Sequence, residues 1–192
     1  MTRIIIRGVP WRQGMIDYLA RELPDAEWVI DTPADPKADN RGRATQSFLR
    51  ALLLAGDGPA VLMEDDVTLC PAFRRKLEAE IAARPRNVIQ FFSMRSADLT
   101  VGSRWDRKYM MSQCTYFPAG YCAQLAAYLP RWCASHPEDP GGYDVLVDQW
   151  LRERKEPFWI RCPSLVDHRV AASVMDRRRS SKRQARTFDT AP

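Results

Sequence analysis

Short apolar runs alternate with amphipathic stretches along most of the chain. The runs are typical of strands buried on both faces of a parallel sheet, and they cover residues 3–7, 27–30, 60–63, 88–92 and 158–161. Between them, apolar side chains recur at helical spacing, which predicts helices over 11–23, 44–55, 70–83, 118–132 and 144–154. The polar residues 93–108 are predicted to form a long loop. Strands that alternate with helices indicate an α/β fold, with a mostly parallel central sheet flanked by helices.

The length of 192 residues suits a single domain with a substantial core. The apolar runs are far shorter than the roughly 18–20 residues that a membrane span needs, and the apolar start is too short for a secretory signal. The five cysteines are scattered and form no Cys-x-x-Cys pair, which argues against a disulfide framework or a zinc site and favours a reducing compartment. We therefore expect a cytoplasmic protein without a membrane span, and the sequence predicts no oligomeric state.

Charge is distributed unevenly along the chain. The net charge is +5, but residues 177–186 carry six cations and no acid, so the other residues together carry −1. We therefore divide the chain into a domain over residues 1–175 and a basic, flexible tail over residues 176–192. The tail could neutralise the phosphates of DNA, and the candidate contacts are Arg177, Arg178, Arg179, Lys182 and Arg183. The alternatives are a solubilising end or contact with anionic lipid headgroups.

Three consecutive acids, Glu64, Asp65 and Asp66, end the apolar run 60–63. Like charges so close together repel each other and are costly to bury unless a cation offsets them. Ligands of open α/β sheets bind at the carboxyl ends of strands, and Mg²⁺ or Mn²⁺ prefers oxygen ligands. Strand alternation would place Glu64 and Asp66 on one side, with Asp65 pointing elsewhere. The alternative is a solvent-exposed turn, in which the negative charges stabilise the N-terminus of the next helix.

Two later segments carry further candidate chemistry. His168 is one of only two histidines and follows a predicted strand, so it can join a metal site if the C-terminal part folds back. Asp144 and Asp148 are four residues apart and share one face of a predicted helix. One of them could act as a general base at the mouth of the sheet, or they could be an N-cap and a solvated side chain.

The order of these features resembles the GT-A class of glycosyltransferases. The resemblance covers roughly residues 3–175 and depends mainly on the acidic triplet and on the segment from His168 to Ser173, with a looser match at Asp144. It is closest to small phage and bacterial enzymes, with some likeness to the lipooligosaccharide glycosyltransferases of family 25. It implies one GT-A (Rossmann-like) domain that binds a nucleotide-sugar through a divalent metal.

The resemblance also implies roles for individual positions. Asp66 and His168 would bind Mn²⁺ or Mg²⁺, and Glu64 would lie near the ribose or the waters of the metal. Asp65 would contact these ligands without binding the metal itself. The other implied donor-binding positions are Arg7, Gly8 and Pro10 in the loop under the base, Asp31 at the nucleoside, and Ser173 near the diphosphate. Asp144 would be the catalytic base, with Asp148 in reserve because Tyr143 stands where many relatives carry a second acid.

The implied function is transfer of a sugar from a nucleotide-sugar, in first place a UDP-sugar, to an acceptor hydroxyl. A base in Asp144 implies inversion at the anomeric carbon, and without it a retaining mechanism stays open. The acceptor could be a hydroxylated base in phage DNA, or a glycan or lipooligosaccharide. A nucleotidyltransferase and a non-catalytic nucleic-acid- or sugar-binding module with the same fold are the remaining alternatives.

Overall fold

The computed structural model describes residues 2–31, 40–136, 142–169 and 183–192. In chain order, the first half contains β1 (Arg3–Gly8), a 3₁₀ turn (Pro10–Arg12), α1 (Gln13–Glu22), β2 (Glu27–Ile30), α2 (Asn40–Ala55), β3 (Ala60–Glu64), β4 (Val67–Leu69) and α3 (Phe73–Ala83). The second half contains β5 (Ile89–Gln90), a 3₁₀ turn (Ser96–Leu99), β6 (Arg104–Asp106), β7 (Cys114–Phe117), α4 (Tyr121–Ser135), α5 (Tyr143–Glu153), β8 (Phe158–Ile160) and β9 (Val166–His168). No helix in these ranges is long and apolar enough to cross a bilayer.

The described strands form a central sheet in the order β2-β1-β3-β7-β5-β8-β6. The pairs β1–β2, β1–β3 and β5–β8 are parallel, while β7 and β6 run antiparallel to their neighbours. Five of these seven strands therefore point in one direction, which confirms the predicted α/β fold with a mostly parallel sheet. Because β2, β1 and β3 are adjacent and parallel, their carboxyl ends meet at one edge of the sheet.

Helices cover both faces of the sheet, and β1 shows why. Its side chains alternate between two cores: Ile5 belongs to the cluster under α2, α4 and α5, whereas Ile4 and Ile6 belong to the cluster under α1 and α3. Both faces of β1 are therefore excluded from water, which explains its run of isoleucines. Burial of these large apolar side chains supplies the main stabilisation of the fold.

The sequence prediction missed two strands of the central sheet. The predicted loop 93–108 contains the edge strand β6, and β7 lies between β3 and β5 in the middle of the sheet. In β7, Thr115 is buried, and its hydroxyl can be buried because it forms a hydrogen bond with the hydroxyl of the buried Tyr109, 2.6 Å away. A polar side chain satisfied by a tertiary partner interrupts the apolar pattern of a buried strand, so the local sequence does not reveal it.

A separate two-stranded ribbon pairs β4 with β9 in antiparallel register, opposing Val67 to His168. This pairing brings the C-terminal part of the domain directly behind the acidic triplet. The condition attached to His168 from the sequence, that the chain folds back to the triplet, is therefore met by the fold.

The last ten residues pack on the domain rather than extending from it. The backbone N–H of Ser164 donates to the carbonyl of Thr187 (2.8 Å), and that of Asp189 donates to the carbonyl of Ser164 (2.9 Å). Phe188 packs against the core under α1 and α3. Residues 183–192 of the predicted flexible tail thus contact the domain, whereas 176–182 lie outside the described residues.

Candidate functional site

A cleft lies at the carboxyl ends of β1, β2 and β3, where the acidic triplet was predicted to bind its ligand. Its charged lining consists of four carboxylates and four guanidinium groups: Asp31, Glu64, Asp65, Asp66, Arg7, Arg12, Arg43 and Arg183. The other lining residues are Gly8, Val9, Trp11, Ala44, Ser47 and Tyr143. A concave site that brings so many half-buried charges together is a candidate for ligand binding.

The loop after β1 forms one wall of the cleft. The backbone N–H of Val9 donates to Asp65 Oδ2 (2.9 Å), and a Cβ at Gly8 would lie 3.3 Å from Ile30 Cδ1 and 3.4 Å from Asp65 Oδ2. Gly8 thus lets the loop approach the triplet closely. Pro10 begins the 3₁₀ turn and is not among the cleft-lining residues.

Arg7 is buried at the base of the cleft. Its Nη2 lies 3.2 Å from Glu64 Oε1, and its guanidinium carbon lies 4.2 Å from the centre of the Tyr143 ring. The Tyr143 hydroxyl contacts the same Glu64 oxygen. Burial raises the pKa of Glu64 to about 7, assisted by the charge of Asp66 and opposed by Arg7.

All three acids of the triplet line the cleft, because β3 ends at Glu64 and strand alternation does not continue beyond it. The expectation that Asp65 points elsewhere is therefore wrong. Arg12 Nη1 lies 2.6 Å from Asp65 Oδ1 and 3.0 Å from Asp66 Oδ2. This single guanidinium group offsets the charge of two neighbouring carboxylates.

Asp66 and His168 face each other across the β4–β9 ribbon. His168 Nε2 lies 3.3 Å from Asp66 Oδ2, with the two side chains 1% and 4% exposed. The separation is that of an ion pair, and neither His168 Nε2 nor Asp66 Oδ1 makes a well-aligned hydrogen bond among the described residues. Asp66 Oδ1 can accept from or bind a ligand, and Nε2 can do so when His168 is neutral.

The tautomer of His168 follows from its other nitrogen. Nδ1 lies 2.6 Å from the carbonyl oxygen of Arg169, and a carbonyl can only accept, so Nδ1 carries the proton. In neutral His168 the lone pair of Nε2 therefore faces a carboxylate, and either a proton on Nε2 or a metal ion between the two groups offsets this repulsion. Burial opposes protonation, yet Asp66 outweighs it and raises the pKa of His168. Burial alone would raise the pKa of Asp66, but His168, Arg12 and Arg183 lower it to about 2.

These residues fit a divalent metal with two protein ligands, Asp66 and His168. No group of three or more His, Cys, Asp or Glu side chains arranged to hold a metal occurs within the described ranges. Mg²⁺ commonly binds through one or two carboxylates, with substrate phosphates and waters completing its coordination. The orphaned lone pairs therefore suit a metal that binds together with a phosphate-containing ligand.

Asp31 lies at the other end of the cleft, directly after β2. Its carboxylate accepts hydrogen bonds from Arg43 Nη2 (2.9 Å) and Arg50 Nη2 (3.4 Å). Trp11, which is 54% exposed, lies nearby with its ring centre 5.7 Å from the Arg43 guanidinium carbon. This end therefore offers an aromatic surface and polar groups to a flat, polar ligand.

The two candidate bases on α5 differ in their surroundings. Asp148 Oδ1 accepts the backbone N–H of Tyr109 (2.6 Å), and its Oδ2 pairs with Arg152 Nε (2.8 Å). Asp144 lies in the first turn of α5, immediately after the cleft-lining Tyr143. Neither aspartate lines the cleft itself, and only Asp144 adjoins a residue that does.

Of the five candidate nucleic-acid contacts, the structure describes Arg183 alone. Arg183 lines the cleft, whereas Arg177, Arg178, Arg179 and Lys182, like the donor-site candidate Ser173, lie outside the described residues.

Sequence reasoning also missed several cleft residues, namely Arg12, Arg43, Trp11, Ser47 and Ala44. Arg12 lies four residues after the end of β1, and β1 is the neighbour of β3, which ends in the acidic triplet. A basic residue at that place was the sequence signal that could have predicted a partner for the acids.

Comparisons with known proteins bear on the fold. No protein-family model and no curated protein sequence matches this chain. Among solved structures, it is similar to A197 from STIV, with a TM-score of 0.53 and 15% identity over 100% of this chain and 97% of that chain. Apo-UDP-glucose pyrophosphorylase gives 0.47 and 8% identity over 83% and 72% of the two chains. A putative glucose-1-phosphate thymidylyltransferase from Bacillus anthracis, in complex with a sucrose, gives 0.46 and 12% over 85% and 91%.

Proposed function

We propose that this chain is a metal-dependent glycosyltransferase that binds a nucleotide-sugar in the cleft at the ends of β1, β2 and β3. The observation that carries the proposal is the Asp66–His168 pair, whose buried Oδ1 and Nε2 atoms lack hydrogen-bond partners among the described residues. A divalent metal held there supplies Lewis-acid stabilisation of the departing nucleoside diphosphate.

The remaining cleft residues bind and orient the donor. The arginines offer hydrogen-bond donors to phosphate oxygens, while Asp31 accepts hydrogen bonds from hydroxyl or amino groups of the nucleoside. Gly8 and Val9 hold the loop after β1 against Asp65, so that this loop forms one wall of the donor site. Preorganised charges of this kind stabilise a reaction in which negative charge develops on the leaving group.

Asp144 is the general base of the proposal, and it removes the proton of the acceptor hydroxyl as that oxygen attacks the anomeric carbon. Its support is its place at the start of α5, immediately after the cleft-lining Tyr143. Asp148 is not included, because its two oxygens already bind the Tyr109 backbone and Arg152.

A thermal-shift panel tests the proposal. Mn²⁺ with UDP, GDP, CDP, ADP or the corresponding nucleotide-sugars is added at about 100 times the dissociation constant. Binding at this excess stabilises the native state by about 2.7 kcal/mol, which raises Tm by roughly 5–10 °C for a chain of this size. We expect the shift for one nucleotide class and its loss in EDTA. No shift with any member would overturn the proposal.

Product analysis then separates the two enzyme classes. Sugar transfer, or slow transfer to water, releases a nucleoside diphosphate from the nucleotide-sugar. A nucleotidyltransferase instead releases pyrophosphate from a nucleoside triphosphate and a sugar phosphate. Pyrophosphate release would therefore replace the glycosyltransferase with the second class at the same cleft.

The acceptor is a separate proposal. DNA with a hydroxylated base is the first candidate, because residues 177–182 carry four cations and no acid. A glycan or lipooligosaccharide hydroxyl is the second. Transfer of radiolabelled sugar to each of these acceptors, once the nucleotide is known, decides between them.

A further inference from the structure

The C-terminal segment, residues 183–192, places one more arginine in the cleft. The backbone N–H of Ala185 donates to Asp167 Oδ1 (2.7 Å), and that of Arg186 donates to the carbonyl of Ser93 (3.2 Å). Asp167 is in β9 next to His168. The segment is thus attached to the strand that carries His168, and Arg183 lies two residues before the attachment.

The far end of the same segment is anchored by charge. Asp189 is 8% exposed; its Oδ1 lies 2.9 Å from Lys76 Nζ, and its Oδ2 lies 3.0 Å from Arg161 Nη2. Lys76 belongs to α3 and Arg161 follows β8. Contacts with four separate parts of the domain hold the segment in one position.

Arg183 reaches the Asp66 side of the cleft with unused hydrogen-bonding capacity. It lines the cleft with the acidic triplet, and its Nε is buried without a hydrogen-bond partner among the described residues. A buried donor without an acceptor costs free energy. An incoming acceptor would remove that cost, and the planar guanidinium group matches the oxygens of a phosphate.

We infer that Arg183 is a phosphate-binding residue of the donor site, and that the C-terminal segment is part of that site. The inference rests on the proposed function, since it assigns Arg183 to the diphosphate of the donor. Asp66 and His168 would hold the metal, and Arg183, whose charge acts on Asp66 in the same cleft, would bind the phosphate oxygens. Arg183 thereby has a role in donor binding rather than in DNA binding.

The test compares three ligands that differ in phosphate content. Isothermal titration with Mn²⁺ measures the binding of UDP, inorganic pyrophosphate and uridine to the parent and to Arg183→Gln, Arg183→Lys and Arg186→Gln. Arg186 is the matched control, because it belongs to the same segment and does not line the cleft. Near-UV circular dichroism and Tm without ligand report whether each variant keeps its fold.

We expect Arg183→Gln to weaken UDP and pyrophosphate binding by about 10–100-fold, as for loss of a charge-assisted hydrogen bond. Uridine binding stays unchanged, Arg183→Lys recovers part of the loss, and Arg186→Gln binds all three ligands like the parent. A merely structural role would lower Tm and weaken uridine and UDP alike, and that result would overturn the inference.

The outcomes keep the two proposals apart. If the parent binds UDP with Mn²⁺ and Arg183→Gln binds it equally well, the inference fails and the proposed function stands. If the parent binds neither UDP nor pyrophosphate, while another nucleoside diphosphate binds, the same comparison is made with that nucleotide. If no nucleoside diphosphate binds the parent, the proposed function fails and the inference fails with it.

Discussion

At the scale of single residues, the pair Asp66 and His168 differs from the rest of the cleft. Other carboxylates there have arginine partners: Glu64 contacts Arg7, and Asp65 contacts Arg12. Asp66 shares Arg12 but keeps one oxygen without a hydrogen-bond partner among the described residues. The position that still needs a cation is therefore next to His168.

Asp66→Asn is expected to abolish the Mn²⁺-dependent part of the stabilisation by UDP and to leave the fold intact. The substitution removes the charged metal ligand from a buried site while keeping its size. Thermal shift with and without Mn²⁺ measures the effect. Asp57→Asn is the matched control, because Asp57 is exposed in the turn before β3, at the opposite end of the strand. Equal Mn²⁺-dependent shifts in both variants would place the metal elsewhere.

Asp144→Asn is expected to lower turnover by about 10²-fold or more, as for loss of a general base, with donor affinity unchanged. Steady-state kinetics and titration with the donor measure the two quantities. Asp148→Asn serves as the comparison: we expect it to lower the free energy of unfolding by about 1 kcal/mol, because it weakens the contacts with Tyr109 and Arg152, and to keep turnover. The reverse pattern would assign the base to Asp148.

At the scale of elements, the ribbon of β4 and β9 and the C-terminal segment together build the metal side of the cleft. The ribbon sets His168 opposite Val67, one residue after Asp66. The C-terminal segment then binds β9 through Asp167. The site therefore depends on contacts between residues about a hundred positions apart along the chain.

Asp189→Asn is expected to destabilise the protein at neutral pH and to have little effect in acid. Burial opposes ionisation of Asp189, but Lys76, the N–H of Ala191 and Arg161 outweigh it and lower its pKa. The stabilisation by this carboxylate is therefore complete above the unfolded pKa of about 3.9. It is lost as the pH falls through the lower folded-state pKa.

Urea unfolding of the parent and of Asp189→Asn between pH 7 and about pH 2 measures this difference in the free energy of unfolding across the folded-state pKa. It should shrink towards the acid end of the series. Asp17→Asn, at an exposed position on α1, should change stability by less than about 0.5 kcal/mol throughout. A difference for Asp189→Asn that is constant with pH would exclude the ionic anchor.

At the scale of the whole molecule, charge is concentrated in the chain just before the C-terminal segment. The cations of residues 177–182 lie outside the described residues, while Arg183 and Arg186 belong to the packed segment. Deleting everything from residue 177 onwards would thus also remove packed structure. Substitution of the four cations is the cleaner test of DNA binding.

Replacing these four cations by glutamine is expected to weaken DNA binding and flatten its salt dependence, with donor binding unchanged. Every DNA phosphate that the variant no longer neutralises reduces the slope of log K against log salt by about 0.9, so the slope should fall by up to about 3–4. Fluorescence anisotropy with a DNA oligonucleotide at several salt concentrations measures it. The substituted residues are Arg177, Arg178, Arg179 and Lys182.

Substituting two exposed cations of the body, Arg107 and Lys108, by glutamine gives the control and should leave the slope unchanged. Equal slopes for the parent and the fourfold variant would remove the basic residues from any DNA contact. If the parent shows no DNA affinity at low salt, a glycan or lipid-linked acceptor becomes the better proposal.

The sequence by itself determined the fold class and the location of the cleft. Apolar runs such as 3–7 and 60–63 correspond to β1 and β3 because strands buried on both faces must be continuously apolar. The acidic triplet follows β3, and the carboxyl ends of neighbouring parallel strands meet at one edge of a sheet. Local composition together with this geometric rule was therefore enough to predict where the cleft lies.

Only the tertiary structure decided how the site is completed. The pairing of β4 with β9, the bridge from Arg12 to Asp65 and Asp66, and the return of Arg183 join residues that are distant along the chain. Each depends on register and packing between elements, and a register shift of one residue would turn every side chain of a strand to the opposite face. Because periodicity reports only a residue's own element, the apolar and polar pattern could not reveal these contacts, and only the position of Arg12 just after β1 gave a hint of one.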